Sequence, residues 1–328
     1  MSKVNGVPLK RYVLRRILLA APLILGVILF AFIILHAAPG DPIDVLTGGF
    51  DVSPEYLEMM REKLGLNKPI YEQMFLYLTS VLQGDLGYSY RSGKPVISLI
   101  IGRVPATVLL MGTALLISIT VGVVLGVTSS KKPYSLLDNS ITIGSLLGYS
   151  MPIFWLGQMV LLTLALYLGF FPVGGMRSLE VASGLSAILD VLHHLALPAI
   201  VLAVHWMAVY TRLTRASMLE TLGKDFIITA KAKGLDERRV LYRHALKNAI
   251  LPITTIMGMQ FGLVLGGAVL TETIFGWPGL GRLMYEGLYT RDYPLMMGMF
   301  IVTSISVIMA NLITDIVYAI LDPRIRYH

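Results

Sequence analysis

The sequence predicts an all-α fold embedded in a membrane, on three observations. Hydrophobic residues fill 55% of the 328 positions and charged ones only 14%, too little polar surface for a soluble globule. Apolar runs of roughly 20 residues recur along the chain, each long enough to cross a hydrocarbon core as a helix. Lys and Arg outnumber Asp and Glu by 27 to 20, and they gather in the segments between those runs.

The first run, 17–38, follows a basic front. It is longer than a signal-peptide core and carries His36 where a cleavage box wants a small residue, so it reads as an uncleaved first span. Segment 39–104 holds eight acids and six bases and reads as a small extracytoplasmic helical cap. Within it Ser53 serves as N-cap, Pro54 as first helical residue and Gly65 as the stop, and a second amphipathic helix ends at Gly84. Further spans are expected at 105–128, 195–211, 251–271 and 297–314. Residues 139–176 carry no charge and are too long for one simple span but short for two. If 139–168 is one helix kinked at Pro152, 18 of the 27 Lys/Arg share the side of the N-terminus; a hairpin there would leave only ten. The positive-inside rule therefore predicts six spans with both termini cytoplasmic. Residues 272–296, rich in Gly, Pro and aromatics, read as an ordered turn at the outer interface, with Trp277, Pro278 and Gly279 as its tight part.

The sequence also excludes chemistry. It has no cysteine, so disulfides, thiolate metal sites and cysteine nucleophiles are absent. Gly93-Lys94 and Gly223-Lys224 are followed by Pro and Asp, so no phosphate-binding P-loop exists. The six histidines form no HExxH pair. The net charge of +7 is accounted for by cytoplasmic loops, not by nucleic acid. Asp315 reads as the only acid inside a span, within reach of Arg324 and Arg326 as an ion pair.

The longest cytoplasmic loop, 212–250, is the main candidate site. Asp225 to Lys233 has helical spacing, Gly234 ends it, and Asp236 can cap a second helix toward Pro252. On that second helix Arg239, Arg243 and Lys247 share one face, with Leu241, Ala245 and Ala249 opposite. Small residues at the bend, Thr229, Ala230, Ala232 and Gly234, would let a partner's backbone approach. Arg212 and Arg215, at the cytoplasmic end of the fourth span, are read as headgroup-snorkelling residues or parts of an inner gate. Gln158, Gln260 and Asn311 lie within spans as pathway-lining or interhelical hydrogen-bonding residues.

Residues 229–252, TAKAKG followed by LDERRVLYRHALKNAILP, resemble the cytoplasmic loop of permease subunits of binding-protein-dependent ABC importers. AAPGDP at 37–42, KLGLNKP at 63–69, GDLGYSYRSGKPV at 84–96, SMPIFWLG at 150–157, TRLTRASML at 211–219, ETIFGWPGLGRLMYEGLYTRDYP at 272–294 and NLITDIVYAILDPRIR at 311–326 extend the resemblance to the oligopeptide/dipeptide/nickel permease family. The Glu-Ala-Ala start of that family's loop reads Ile228-Thr229-Ala230 here.

The resemblance implies a type I importer permease (MetI-like) fold. Such a fold would comprise an N-terminal segment and first helix over 1–38, a cap over 39–104 and a five-helix core over 105–328. It implies a non-catalytic, multi-pass subunit of the cell membrane that binds no cofactor itself, with ATP and Mg on two cytoplasmic ATPase partners. A homologous second permease would complete a heterodimer, and an extracytoplasmic binding protein would deliver the solute. Asp225, Phe226, Ile227, Thr229, Ala230, Lys231, Ala232, Gly234 and Leu235 would dock the ATPase. Di- or oligopeptides are the implied solute; nickel, glutathione or oligosaccharides are alternatives within the same architecture. A stand-alone secondary transporter or channel, or a membrane scaffold, would need no such loop.

Overall fold

Each expected apolar run is built mainly of helix in the computed structural model, which describes residues 9–38, 43, 47, 52–178 and 183–321. The helices are α1 (Leu9–Ala37), α2 (Pro54–Leu64), α3 (Ile70–Leu82), α4 (Val96–Ser130), α5 (Leu136–Ser150), α6 (Ile153–Val160, extended by a π-helical segment Leu161–Tyr167) and α7 (Leu185–Leu222). They continue with α8 (Asp225–Ala232), α9 (Glu237–Arg239, a π-helical Val240–Ala245 and Leu246–Ala249), α10 (Leu251–Leu263), α11 (Val269–Ile274), α12 (Leu280–Tyr289) and α13 (Tyr293–Leu321). By internal packing the chain divides into two units, Met1–Pro105 with Gly279–His328, and Ala106–Pro278.

Among the described residues, four helices are long and apolar enough to span: Leu18–Ala37, Val96–Ser130, Leu185–Leu222 and Tyr293–Leu312. The expected third and fifth spans differ in form from the reading of the sequence. In place of one kinked helix over 139–168, α5 and α6 meet at 99°, and together they make at most one broken span. Pro152 explains the break. It has no N–H to continue the ladder, and it drives Met151 out of the helical region to φ −73°, ψ 128°. The run 251–271 is interrupted as well: α10 ends at Leu263, a 3₁₀ turn covers Val264–Gly266, and Gly267 takes φ +72° before α11. Hydropathy is blind to such a break, because glycine is no more polar than its neighbours. The expected ion pair of Asp315 lies outside the described residues.

In the first unit, α1 packs along α13, and α12 packs back on α13. Ile28, Ala31, Phe32 and Leu35 of α1 and Leu295, Met296, Met297 and Met299 of α13 are buried. The two short helices α2 and α3 form where the sequence predicts them. Ser53 accepts the Tyr56 N–H at 3.3 Å, Gly65 ends α2 at φ +67°, and Gly84 follows α3 at φ +83°. Neither α2 nor α3 buries a residue fully. A short loop then crosses back, bridged at Tyr88 and Pro95 and pinned to Asp292. The Asp292 carboxylate accepts from the Ser89 hydroxyl at 2.5 Å and from the backbone N–H of Tyr90 and Arg91 at 3.1 and 3.4 Å.

In the second unit, α4 and α7 approach backbone to backbone at Gly122 and Gly126. A Cβ on Gly126 would lie 2.5 Å from Thr214 Cβ and 2.7 Å from the Thr211 carbonyl, and one on Gly122 would lie 2.7 Å from Tyr210 Cβ. Lipid is as apolar as a leucine side chain, so burial alone holds membrane helices together weakly; close van der Waals contact over small residues does the holding. Trp277 is fully buried in this unit, among Ala106, Leu110, Leu195 and Leu202, and its indole Nε1–H donates to the Ala106 carbonyl at 2.8 Å. The expected tight turn thus carries its tryptophan inward, into the packing of this unit.

Candidate functional site

α8 forms because its ends suit a helix. Asp225 lies in the first turn and Lys231 in the last, each matching the helix dipole, and the Thr229 hydroxyl donates back to the Asp225 carbonyl at 3.0 Å. Gly234 then takes φ +73°, the left-handed region, while its N–H donates to Lys231 O and Leu235 N–H to Ala230 O. α9 starts at Glu237 with Asp236 flanking it, but the Asp236 side chain makes no capping bond, contrary to the expectation. Its carbonyl accepts from Val240 N–H at 3.0 Å.

The hairpin is fastened from beneath. Ile227 and Ala230 of α8 and Val240, Leu241, Ala245 and Ala249 of α9 close on Val127 and Met218, with Leu235 half-buried against them. Removing the Ile227 side chain from water contributes about 1.5–3 kcal/mol. Of the nine residues expected at the docking surface, Ile227 and Ala230 thus face inward and hold the helix to the chain. Asp225, Phe226, Thr229, Lys231, Ala232 and Gly234 face out, and Ile228, absent from the expected set, is 60% exposed beside them. Arg239, Arg243 and Lys247 are exposed opposite the buried Leu241, Ala245 and Ala249, the division read from the sequence. A Cβ added at Gly234 would meet nothing of this chain within 4 Å, so the glycine is required here for its backbone conformation. Beside the hairpin, Lys131, Lys132, Leu136, Arg238 and Tyr242 line a cleft of about 950 Å³, with Lys131 Nζ 5.7 Å from the Tyr242 ring centroid.

The two arginines of α7 differ from each other. Arg215 makes a forked pair with Asp138, Nε to Oδ1 and Nη2 to Oδ2, both 2.6 Å. The Asp138 side chain is 1% exposed, and Tyr134 N–H and Thr142 Oγ1 donate to the same carboxylate. Arg212 is exposed, with its Cζ 4.8 Å from the Tyr149 ring centroid. Gln260 is buried, whereas Gln158 and Asn311 are exposed.

Three buried acids had no signal in the sequence. Asp138 lies in α5 and Glu272 in α11, and Asp292 precedes α13. Glu272 Oε1 accepts from Thr107 Oγ1 at 3.1 Å and from Ala268 N–H at 3.3 Å. Among the described residues no group of three or more metal-ligating side chains comes together. His193 and His194 bond to the Phe170 and Asp190 carbonyls instead.

Residues 118–327 match the family of binding-protein-dependent transport system inner membrane components, and residues 9–111 match the N-terminal part of such components. Among individual relatives, the oligopeptide transport system permease protein AppB of Bacillus subtilis is 44% identical, over 96% of this chain and 99% of its own length. The dipeptide transport system permease protein DppB of Escherichia coli is 39% identical, over 97% and 99%. A solved structure of the inward-facing MetNI methionine ABC transporter covers 69% of this chain and 97% of its own, with TM-score 0.55 and 14% identity, a likeness of fold. The chain belongs to the family of binding-protein-dependent transport system inner membrane components.

Proposed function

We propose that this chain is one permease of an ATP-driven importer of di- or oligopeptides, working beside a homologous second permease. Two cytoplasmic ATPases and an extracytoplasmic binding protein complete the machine. The chain supplies half of the pathway and no catalytic group, and ATP is hydrolysed on the partners. Family membership and the peptide permeases at 39% and 44% identity support this reading. The 18 Lys/Arg that would share one side support a topology with both termini, the 129–138 loop and the α8–α9 hairpin in the cytoplasm.

The observation that carries the coupling role is the anatomy of α8. A buried edge of Ile227 and Ala230 ties it to the ends of α4 and α7, while Phe226, Ile228, Thr229 and Ala232 are presented outward. A partner gripping the outer face moves those helix ends with it, because the inner face cannot slide without exposing Ile227. ATP drives the cycle by binding the closed ATPase pair better than the open one, and the permease pair responds as a two-state element.

Gly234→Arg tests the coupling role. A side chain there strains the left-handed residue by roughly 1–2 kcal/mol and projects outward from the docking face. The variant should insert in the membrane yet retain less ATPase on purification and lose peptide uptake. Normal assembly and uptake would place the ATPase contact elsewhere. The solute is tested separately, by screening the binding protein against peptides, nickel, glutathione and oligosaccharides.

A further inference from the structure

The break between α5 and α6 has an aromatic and cationic cluster beside it that no part of the coupling account uses. Tyr149, next to last in α5, stacks on His205 of α7 with ring centroids 4.9 Å apart and planes 18° from parallel. His205 in turn meets Trp206 edge-on at 5.4 Å. Arg212, two turns further along α7, sets its Cζ 4.8 Å from the Tyr149 ring centroid. His205 Nδ1 is buried and has no hydrogen-bond partner among the described residues.

Arg212 and Arg215 are three residues apart on one helix, in opposite states. Arg215 is satisfied by the fork with Asp138. Arg212 has no carboxylate within ion-pair distance among the described residues, and it is exposed. A ring face attracts a cation but offers no acceptor oxygen, so the guanidinium's N–H donors stay available in their planar fork. Arg212 stands near the end of α7, a helix of 38 residues that outlasts the hydrocarbon core, so its guanidinium is open to water and to a dissolved anion. Helices broken within the membrane are where carriers place their solute contacts. The cluster has both marks: a free guanidinium, and a 99° break that begins two residues after Tyr149, at Met151.

We propose that Arg212 is a subsite for an anionic group of the passing solute, which for a peptide is its C-terminal carboxylate. Tyr149 and His205 are positioning residues: Tyr149 holds the guanidinium by its ring face, and His205 holds Tyr149. This rests on the peptide-import reading above. By the same topology the subsite lies toward the cytoplasmic end of the pathway, where a solute would meet it after leaving the binding protein.

The test uses the whole transporter, both permeases with ATPases and binding protein, in liposomes. The probes are a labelled tripeptide with a free C-terminus and its C-terminal amide, each at a concentration that saturates the binding protein. Arg212→Gln should cut free-acid uptake about tenfold, the loss expected for one charge-assisted fork, and cut amide uptake far less. Arg212→Lys should restore part of the free-acid uptake. Tyr149→Ala should shift the acid-to-amide ratio in the same direction, and Tyr149→Phe should not. Equal losses for both peptides, no loss for either, or loss of the second permease on purification would each overturn the subsite while leaving peptide import standing. Wild-type transporter that takes up neither peptide would overturn the import reading and the subsite with it.

Discussion

Asp138 and Arg215 stand 77 residues apart in sequence and meet through two parallel hydrogen bonds of 2.6 Å. The pair ties the start of α5 to the last turns of α7, beside the helix ends on which the α8–α9 hairpin rests. Breaking a buried pair leaves one charge without compensation, at about 3–5 kcal/mol when both partners are buried. Arg215 keeps 24% of its side chain exposed, so Asp138→Asn should cost less, roughly 2–3 kcal/mol. Thermal unfolding of the purified chain in detergent checks this. Asp138→Asn with Arg215→Gln should be more stable than the sum of the single losses, a coupling of about 1–3 kcal/mol.

Gly126→Leu should fail where Gly112→Leu succeeds. An added Cβ at 126 runs into the Thr211 carbonyl and Thr214, whereas one at 112 meets nothing within 4 Å. Backbone cannot step aside as a side chain can, so α4 and α7 must separate. The expected result is a sharp fall in the yield of folded protein for the first variant and normal yield for the second, read by size-exclusion chromatography.

Trp277→Phe should destabilise the second unit by about 2–4 kcal/mol. The change removes the indole donor from the buried Ala106 carbonyl and leaves a void in a fully enclosed site. Trp277→Tyr should not recover the loss, since its hydroxyl projects along a different line. Unfolding followed by the fluorescence of the two remaining tryptophans, of three in all, measures both.

Asp292→Ala should loosen the loop that Ser89, Tyr90 and Arg91 pin down. Three donors lose one acceptor at a stroke. Limited trypsin digestion should then cut after Arg91 faster than in the wild type, with cleavage after Arg61 and Lys63 of α2 unchanged.

Much of this was legible in the chain, and the parts that were not share a cause. Asp225, Gly234 and the Arg239/Arg243/Lys247 face could be read because helix ends and helix faces are local properties. Ser53 and Gly65 were legible for the same reason. Asp138 could not be matched to Arg215, since nothing local ties residues 77 apart. Glu272 and Asp292 looked like loop acids because they sit among Gly, Pro and aromatic residues, yet the fold buries both. The breaks at Pro152 and Gly267 escaped hydropathy, which sums polarity and takes no account of φ. One signal was present and unused: Gly122 and Gly126, spaced four apart in an apolar run, mark the close crossing of α4 on α7.

The chain has no cysteine, so one introduced thiol is a unique reporter of what touches the hairpin. Ala232→Cys on the exposed face of α8 and Glu55→Cys on α2 would each carry a thiol-linked photo-crosslinker in the assembled transporter. The account predicts that Ala232→Cys captures an ATPase subunit and Glu55→Cys does not. An ATPase captured from position 55, or none from position 232 in a complex that still contains it, would contradict the claim that α8 is the contact through which ATP moves this protein.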